Sequence, residues 1–180
     1  MGEKPIFLVG YMCSGKTTLG KELARQMGVD FVDLDELIET QQKCSVSEIF
    51  ASRGETGFRK IETETLQALI KDLHDKTAII ALGGGTPCQP GVMELLNSVG
   101  KVIYLEVPVP RLVERLIIGG DKRPLVAGKT AEELKDYVEK MIEQRKKFYE
   151  KAQHRFDASK LETAEEVQHS AKRFQEIICN

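Results

Sequence analysis

The chain has 180 residues, of which 30% are charged and 41% hydrophobic, a balance typical of one globular domain. Its 26 Lys and Arg residues nearly balance its 28 Asp and Glu residues, which leaves no net positive field to attract nucleic acid or an anionic membrane. No apolar run is long enough to cross a bilayer or to act as a secretory signal. The four cysteines have neither disulfide nor metal-ligand spacing. These features predict a single cytoplasmic domain over residues 1–180, expected to be a monomer without nucleic-acid or membrane partners.

Short apolar runs alternate along the chain with longer segments of helical periodicity. The predicted strands are residues 6–9, 31–33, 77–82, 102–105 and 155–157. The predicted helices are residues 16–27, 46–52, 57–73, 90–98, 109–118, 131–149 and 163–178. Strands that alternate with helices in this way predict an α/β fold with a doubly wound parallel sheet.

The first strand leads into a glycine-rich phosphate-binding motif. Residues 10–17, GYMCSGKT, match G-x-x-x-x-G-K-[ST] between a predicted strand and a predicted helix. In such a loop, backbone N–H groups and the helix N-terminus bind phosphate, Lys16 reaches the β- and γ-phosphates, and the Thr17 hydroxyl binds Mg²⁺. Cys13 stands mid-loop, where a glycine at positive φ is common, so a left-handed conformation there would be strained.

Two carboxylates follow the second predicted strand. Asp33 and Asp35 are two residues apart, and they lie at the sheet edge where open α/β sheets bind their ligands. One carboxylate could support Mg²⁺ through water while the other accepts a hydrogen bond from a substrate hydroxyl. The alternative is that both simply cap the next helix.

Two arginines interrupt apolar helical stripes. Arg145 continues the stripe Leu134, Val138, Met141, and Arg59 shares a stripe with Glu62 and Leu66. An inward arginine must be paired or must bind an anion. Arg59 and Glu62 could form a structural ion pair, whereas a guanidinium fork is also well suited to a substrate carboxylate.

Two further segments could contact a ligand. Gly83, Gly84 and Gly85 follow a buried strand, where three glycines in a row suggest that a ligand approaches the main chain. Residues 119–129 have loop composition and include Lys122 and Arg123. This segment is either a surface connection or a mobile lid, in which case Arg123 would stabilise charge on a transferred phosphoryl group.

Taken together, these motifs resemble those of the shikimate kinases over nearly the whole chain. The matching segments are G-x-x-x-x-G-K-T at 10–17, F-x-D-x-D at 31–35, G-F-R-K-I-E at 57–62, G-G-G at 83–85, K-R-P-L at 122–125 and Q-R-x-x-x-Y at 144–149. The resemblance implies a P-loop NTPase fold like that of the nucleoside-monophosphate kinases, with a five-stranded parallel sheet in the order 2-3-1-4-5, flanked by helices, and a mobile lid near 119–129. It also implies phosphorylation of the shikimate 3-hydroxyl by ATP and Mg²⁺, a step toward chorismate and the aromatic amino acids.

The resemblance also implies roles for particular residues. For shikimate, Asp35 would bind the ring hydroxyls, Arg59 and Arg145 would bind the carboxylate, and the Gly84 amide would contact the substrate. The residues carried over for ATP are Cys13, Ser14, Gly15, Lys16, Thr17, Thr18, Arg115 beside the base, and Arg123. Thr17 and Asp33 would hold the metal, and Lys16, Asp35 and Arg123 would be catalytic. The segment 158–162 lacks an arginine that some members use, and Cys13 replaces their usual glycine.

Two alternatives to this function remain open. A gluconate-kinase-like enzyme could use the same arginines and aspartate for another hydroxy acid. A non-catalytic nucleotide-binding module is the other, although such a module would be expected to have lost at least one of Lys16, Thr17, Asp33, Asp35 and Arg123, all of which are present.

Overall fold

A five-stranded, wholly parallel sheet forms the centre of the molecule in the computed structural model, which describes residues 4–73, 76–119 and 129–179. The strands are β1 (Ile6–Val9), β2 (Asp30–Asp33), β3 (Ala78–Ala81), β4 (Lys101–Glu106) and β5 (His154–Asp157). Their order is β2-β3-β1-β4-β5, and each neighbouring pair is parallel. The predicted fold class and strand order are confirmed.

Helices cover both faces of the sheet. They are α1 (Lys16–Met27), α2 (Leu34–Gln42), α3 (Val46–Asp72), α4 (Val92–Val99), α5 (Val109–Ile118), α6 (Ala131–Tyr149) and α7 (Ala164–Cys179). On β1, Ile6 and Leu8 join one hydrophobic cluster while Phe7 and Val9 join another on the opposite face. Burial on both faces explains why this strand is an unbroken apolar run.

One helix differs from the sequence prediction, and two predicted helices follow each other directly. Helix α2 was not predicted, although it begins directly after β2 with Asp33 as its N-cap. The two helices predicted at 46–52 and 57–73 are both present, as the two parts of α3 on either side of a kink at Gly54, where φ is 65° and ψ is −178°. This conformation is not helical, and glycine adopts it without steric penalty, so one helix ends and the next begins at a kink there.

The carboxyl ends of β1, β2 and β3 bring three predicted motifs to one edge of the sheet. The phosphate-loop motif follows β1, the aspartate pair ends β2 and begins α2, and the three glycines follow β3. The adjacency of these strands therefore places the motifs side by side. Among the described residues, none of the helices has the length and apolarity to cross a membrane.

Candidate active site

The phosphate-loop motif forms a tight turn from β1 into α1. Gly10 has φ 147° and Gly15 has φ 93°, values that suit glycine. A Cβ at Gly10 would also lie 2.7 Å from the Leu105 carbonyl oxygen. The first hydrogen bond within α1 runs from the Leu19 N–H to the Gly15 carbonyl at 2.8 Å. The N-terminus of a helix directs N–H groups and the positive end of the helix dipole outward, which favours the binding of an anion there.

Cys13 adopts the left-handed conformation considered from the sequence, with φ 60°. Its carbonyl accepts a hydrogen bond from Arg115 Nη1 at 3.2 Å. The same guanidinium donates to the Ala158 carbonyl at 2.9 Å and to Glu162 Oε1 at 3.0 and 2.9 Å. Arg115, predicted as a partner of the base, thus joins the phosphate loop to the segment after β5.

Lys16 and Thr17 lie at the start of α1 and contact different partners. The Lys16 ammonium donates to the carbonyl oxygens of Gly10 at 3.0 Å and Tyr11 at 2.8 Å, so it lies over its own loop. The Thr17 hydroxyl donates to Asp33 Oδ2 at 2.8 Å. The other Asp33 oxygen accepts the N–H of Asp35 at 3.1 Å. Asp33 therefore caps α2, a role that the alternative interpretation gave to both aspartates, and it also contacts the proposed metal ligand Thr17.

The Asp35 carboxyl group has a raised pKa. Burial, with the nearby charges of Asp33 and Glu62, raises its pKa to about 6, while Lys16 opposes the rise. A carboxylate with a pKa near 6 is ionised at neutral pH, yet it is a better proton acceptor than an ordinary aspartate.

The three glycines after β3 lie against the predicted substrate-binding side chains. A Cβ at Gly83 would lie 3.2 Å from Asp35 Oδ1, and one at Gly84 would lie 3.3 Å from Arg145 Nη1. A Cβ at Gly85 would overlap the Arg59 guanidinium, 2.8 Å from its Cζ. The turn therefore lacks side chains where Asp35, Arg59 and Arg145 converge.

Arg59 forms an ion pair with Glu62, which was one of the two alternatives that the sequence offered for this arginine. Its Nη1 lies 2.8 Å from Glu62 Oε2, and its Nη2 lies 3.4 Å from Glu55 Oε1. Glu62 is fully buried. It also accepts hydrogen bonds from the Thr86 hydroxyl at 2.5 Å and from Gln89 Nε2 at 2.6 Å.

Thr86 and Gln89 belong to this site without having been predicted from the sequence. The signal in the sequence is that Glu62 shares the helical stripe of Arg59, because a carboxylate on an inward face needs several hydrogen-bond donors. These donors fix the Glu62 carboxylate, and Glu62 in turn holds one edge of the Arg59 guanidinium.

Arg145 reaches the same glycine turn from α6, where its apolar stripe faces the core as predicted. Leu134 and Val138 are buried, and Met141 packs against the same cluster. One turn after Arg145, the Tyr149 hydroxyl donates to the Gly84 carbonyl at 2.6 Å. This bond ties the end of α6 to the glycine turn.

A cleft of about 980 Å³ runs along this edge. Its lining includes the predicted residues Cys13, Gly15, Lys16, Thr17, Thr18, Asp33, Asp35, Gly84 and Arg115. Arg59 and Arg145 adjoin it through the glycine turn, and Ser14 is buried in the phosphate loop. Arg123 and most of the predicted lid at 119–129 lie outside the described residues.

A parallel sheet in this order, with a phosphate loop after β1 and a cluster of carboxylates and guanidinium groups beside it, defines a P-loop kinase that acts on a small acid. A sequence model described as "Shikimate kinase" matches residues 12–176. The chain belongs to the shikimate kinase family, and its activity is the ATP-dependent phosphorylation of shikimate.

Individual relatives cover almost the whole chain. A shikimate kinase of Bacteroides thetaiotaomicron is 41% identical over 96% of this chain and 97% of the relative. One of Parabacteroides distasonis is 42% identical over 97% and 99% of the two chains. The crystal structure of a shikimate kinase from B. thetaiotaomicron has a TM-score of 0.93 at 40% identity and covers 98% of this chain and 99% of that one. A shikimate kinase from Acinetobacter baumannii in complex with shikimate has a TM-score of 0.84 at 31% identity, over 98% and 93% of the two chains.

Proposed function

We propose that the glycine turn and its charged neighbours bind shikimate so that its 3-hydroxyl meets the γ-phosphate of ATP at the phosphate loop. The observation that carries this proposal is the convergence of Asp35, Arg145 and Arg59 on Gly83, Gly84 and Gly85, respectively. A carboxylate-bearing polyol needs both a guanidinium fork and a hydroxyl acceptor, and this turn offers both. The Gly84 N–H is the proposed main-chain donor to the substrate.

Asp35 is the proposed acceptor of the proton from the 3-hydroxyl. As the hydroxyl oxygen forms its bond to the γ-phosphorus, the bond from phosphorus to the bridging oxygen of ADP breaks, and the hydroxyl proton moves to the Asp35 carboxylate. The raised pKa of about 6 makes that carboxylate a suitable base at neutral pH. In a loose transition state, positioning and charge stabilisation contribute more than base strength.

Lys16, Thr17 and Asp33 are the proposed phosphate and metal side of the site. The Thr17 hydroxyl oxygen and the Asp33 carboxylate oxygen are 2.8 Å apart, and both are hard oxygen ligands of the kind that Mg²⁺ prefers. Thr17 would bind Mg²⁺ directly and Asp33 through water. When bound, the ion neutralises charge on the β- and γ-phosphates. Lys16 would exchange its loop carbonyl contacts for phosphate oxygens.

The remaining ATP contacts are proposed for the loop amides and for two arginines. The backbone of residues 13–18 would donate to the phosphates. Arg115 lies beside the cleft, where it can face the base while it holds the Cys13 carbonyl. The role of Arg123 on the γ-phosphate rests on the sequence motif alone. The monomeric state and the cytoplasmic location likewise stay predictions from the sequence.

The test is a comparison of shikimate and ATP kinetics in Arg145→Met and Arg59→Lys. Truncating a buried charged contact with a ligand costs about 2–5 kcal/mol, so we expect the KM for shikimate to rise by at least about thirtyfold in Arg145→Met. Arg59→Lys keeps the charge beside Glu62 but loses the fork, so a smaller rise is expected. The KM for ATP should change by less than about threefold. Equal losses for both substrates would mean that these arginines are structural and would refute the assignment.

A further inference from the structure

Tyr11, the second residue of the phosphate-loop motif, is an aromatic side chain buried in the core. It is only 3% exposed and belongs to the hydrophobic cluster that also includes Leu134 and Val138 of α6. Burial raises the pKa of its phenol to about 12, so the ring stays neutral at any working pH. Within residues 4–73, 76–119 and 129–179, the buried hydroxyl finds no hydrogen-bond partner. A hydrogen bond of the hydroxyl therefore does not explain the tyrosine at this position, whereas a contact of its aromatic ring can.

The ring of Tyr11 lies beneath the Arg145 guanidinium, with Cζ 5.6 Å from the ring centroid. This separation is within the range of a cation–π contact. The two proposed carboxylate-binding arginines are therefore held in different ways. Arg59 is oriented by Glu62 and Glu55, which occupy N–H groups of its fork. In the part of the chain that the structure describes, Arg145 has no carboxylate within ion-pair distance; its guanidinium rests on the face of the Tyr11 ring and also hydrogen-bonds the Tyr149 side chain.

An aromatic support has a chemical advantage at this position. A carboxylate partner would occupy a pair of N–H donors of Arg145, whereas a ring contacts the flat face of the guanidinium and leaves the donors that do not meet Tyr149 for an anion. The guanidinium of Arg145 also has little free space around it. Gly84 lies against its Nη1, and the main chain of the phosphate loop lies next to Gly84. Fixing Arg145 by its face keeps its donors directed toward the glycine turn.

We infer that Tyr11 is a positioning residue, whose ring holds the Arg145 guanidinium at Gly84 and thereby ties the carboxylate side of the substrate site to the phosphate loop. The inference rests on the proposed role of Arg145. Tyr11 itself does not touch the reacting atoms. It acts through Arg145, so its removal should lower the affinity for shikimate much more than the rate of the chemical step.

The test compares Tyr11→Phe, which keeps the ring, with Tyr11→Leu and Tyr11→Met, which remove it but keep an apolar side chain in the core. Steady-state kinetics of each full-length variant give kcat and the KM for each substrate, and urea unfolding checks that the variant is folded. We expect Tyr11→Phe to keep the KM for shikimate within about twofold of the parent. Tyr11→Leu and Tyr11→Met should raise it about fivefold to thirtyfold, while the KM for ATP and kcat change by less than about threefold. If one non-aromatic variant does not fold, the other serves the same comparison.

A double variant, Tyr11→Leu with Arg145→Met, separates this inference from the proposal on which it rests. If Tyr11 acts through Arg145, the double variant has the same KM for shikimate as Arg145→Met alone. Additive effects would overturn the inference, as would a normal KM for shikimate in the folded Tyr11→Leu and Tyr11→Met variants or a loss in Tyr11→Phe as large as theirs. If Arg145→Met alone leaves the KM for shikimate unchanged, the role of Arg145 itself is refuted, and the inference falls with it.

Discussion

Replacing Asp35 by Asn should stabilise the protein while it removes most of the activity. The native site keeps the Asp35 carboxylate ionised where burial and the charges of Asp33 and Glu62 oppose ionisation, which raises its pKa from 3.8 to about 6. In the unfolded chain the carboxylate has its ordinary pKa, so at neutral pH its charge is stabilised in the unfolded state relative to the native one. An uncharged amide of nearly the same shape removes that difference.

The pKa difference sets the size and the pH dependence of the effect. Each pH unit between the two pKa values corresponds to about 1.4 kcal/mol, so the gain in unfolding free energy for Asp35→Asn reaches about 3 kcal/mol at pH 8. At pH 5 the native carboxyl is mostly protonated already, and the gain falls to about 1.5 kcal/mol. Below pH 3.8 the carboxyl is protonated in both states and the gain vanishes.

Urea unfolding of the parent protein and of Asp35→Asn at pH 5 and pH 8, without ligands, measures this difference in unfolding free energy. The kcat of Asp35→Asn at pH 8 should be lower than that of the parent protein by at least about a hundredfold. Asp30→Asn is a matched control, because Asp30 begins β2, the strand that leads into the α2 helix of Asp35, but is exposed. It should change neither stability nor kcat appreciably. A gain that is the same at both pH values, or a loss of stability at pH 8, would refute the account of the raised pKa.

Three more substitutions test other parts of the site. Gly85→Ala should displace the Arg59 guanidinium and raise the KM for shikimate by about tenfold or more at a nearly unchanged KM for ATP; equal changes in the two KM values in steady-state assays would contradict this. Glu62→Gln should lower the free energy of unfolding by about 2–4 kcal/mol, because it removes the charge that three donors satisfy; urea unfolding with an unchanged midpoint would count against the network. Cys13→Gly should raise that free energy by about 0.5–1 kcal/mol, since the relief of left-handed strain, about 1–2 kcal/mol, exceeds the added entropy of the unfolded chain. A less stable Cys13→Gly protein would show that the thiol's packing outweighs the strain.

The features that could be predicted from the sequence are those carried by local patterns. The phosphate loop lies between strand and helix as its motif predicts, and α1 has the predicted bounds, with Gly28 at its C-cap in a left-handed conformation. Arg145 lies at the end of an inward stripe because helical periodicity places it there. The strand order came from the family resemblance, since periodicity alone does not distinguish the possible orders of five parallel strands.

The features that escaped prediction depend on contacts between distant parts of the chain. Thr86 and Gln89 bind Glu62 across 24 and 27 residues, and no local pattern pairs them. The three glycines were interpreted as room for a ligand, whereas the structure shows that they also make room for Asp35, Arg59 and Arg145 of the protein itself. Helix α2 was missed because it follows β2 without an intervening turn, with Asp33 ending one element and capping the next.

The most direct test of the account measures ADP release from Mg·ATP by the full-length protein with shikimate, with gluconate and with no acceptor. We expect strong stimulation by shikimate alone and a product phosphorylated on the 3-hydroxyl. We also expect the Arg145→Met variant to reach the rate of the parent protein only at much higher shikimate concentrations. Equal stimulation by gluconate, or ATP binding without turnover on either acid, would contradict the assignment of the glycine turn and its charged neighbours as a shikimate site.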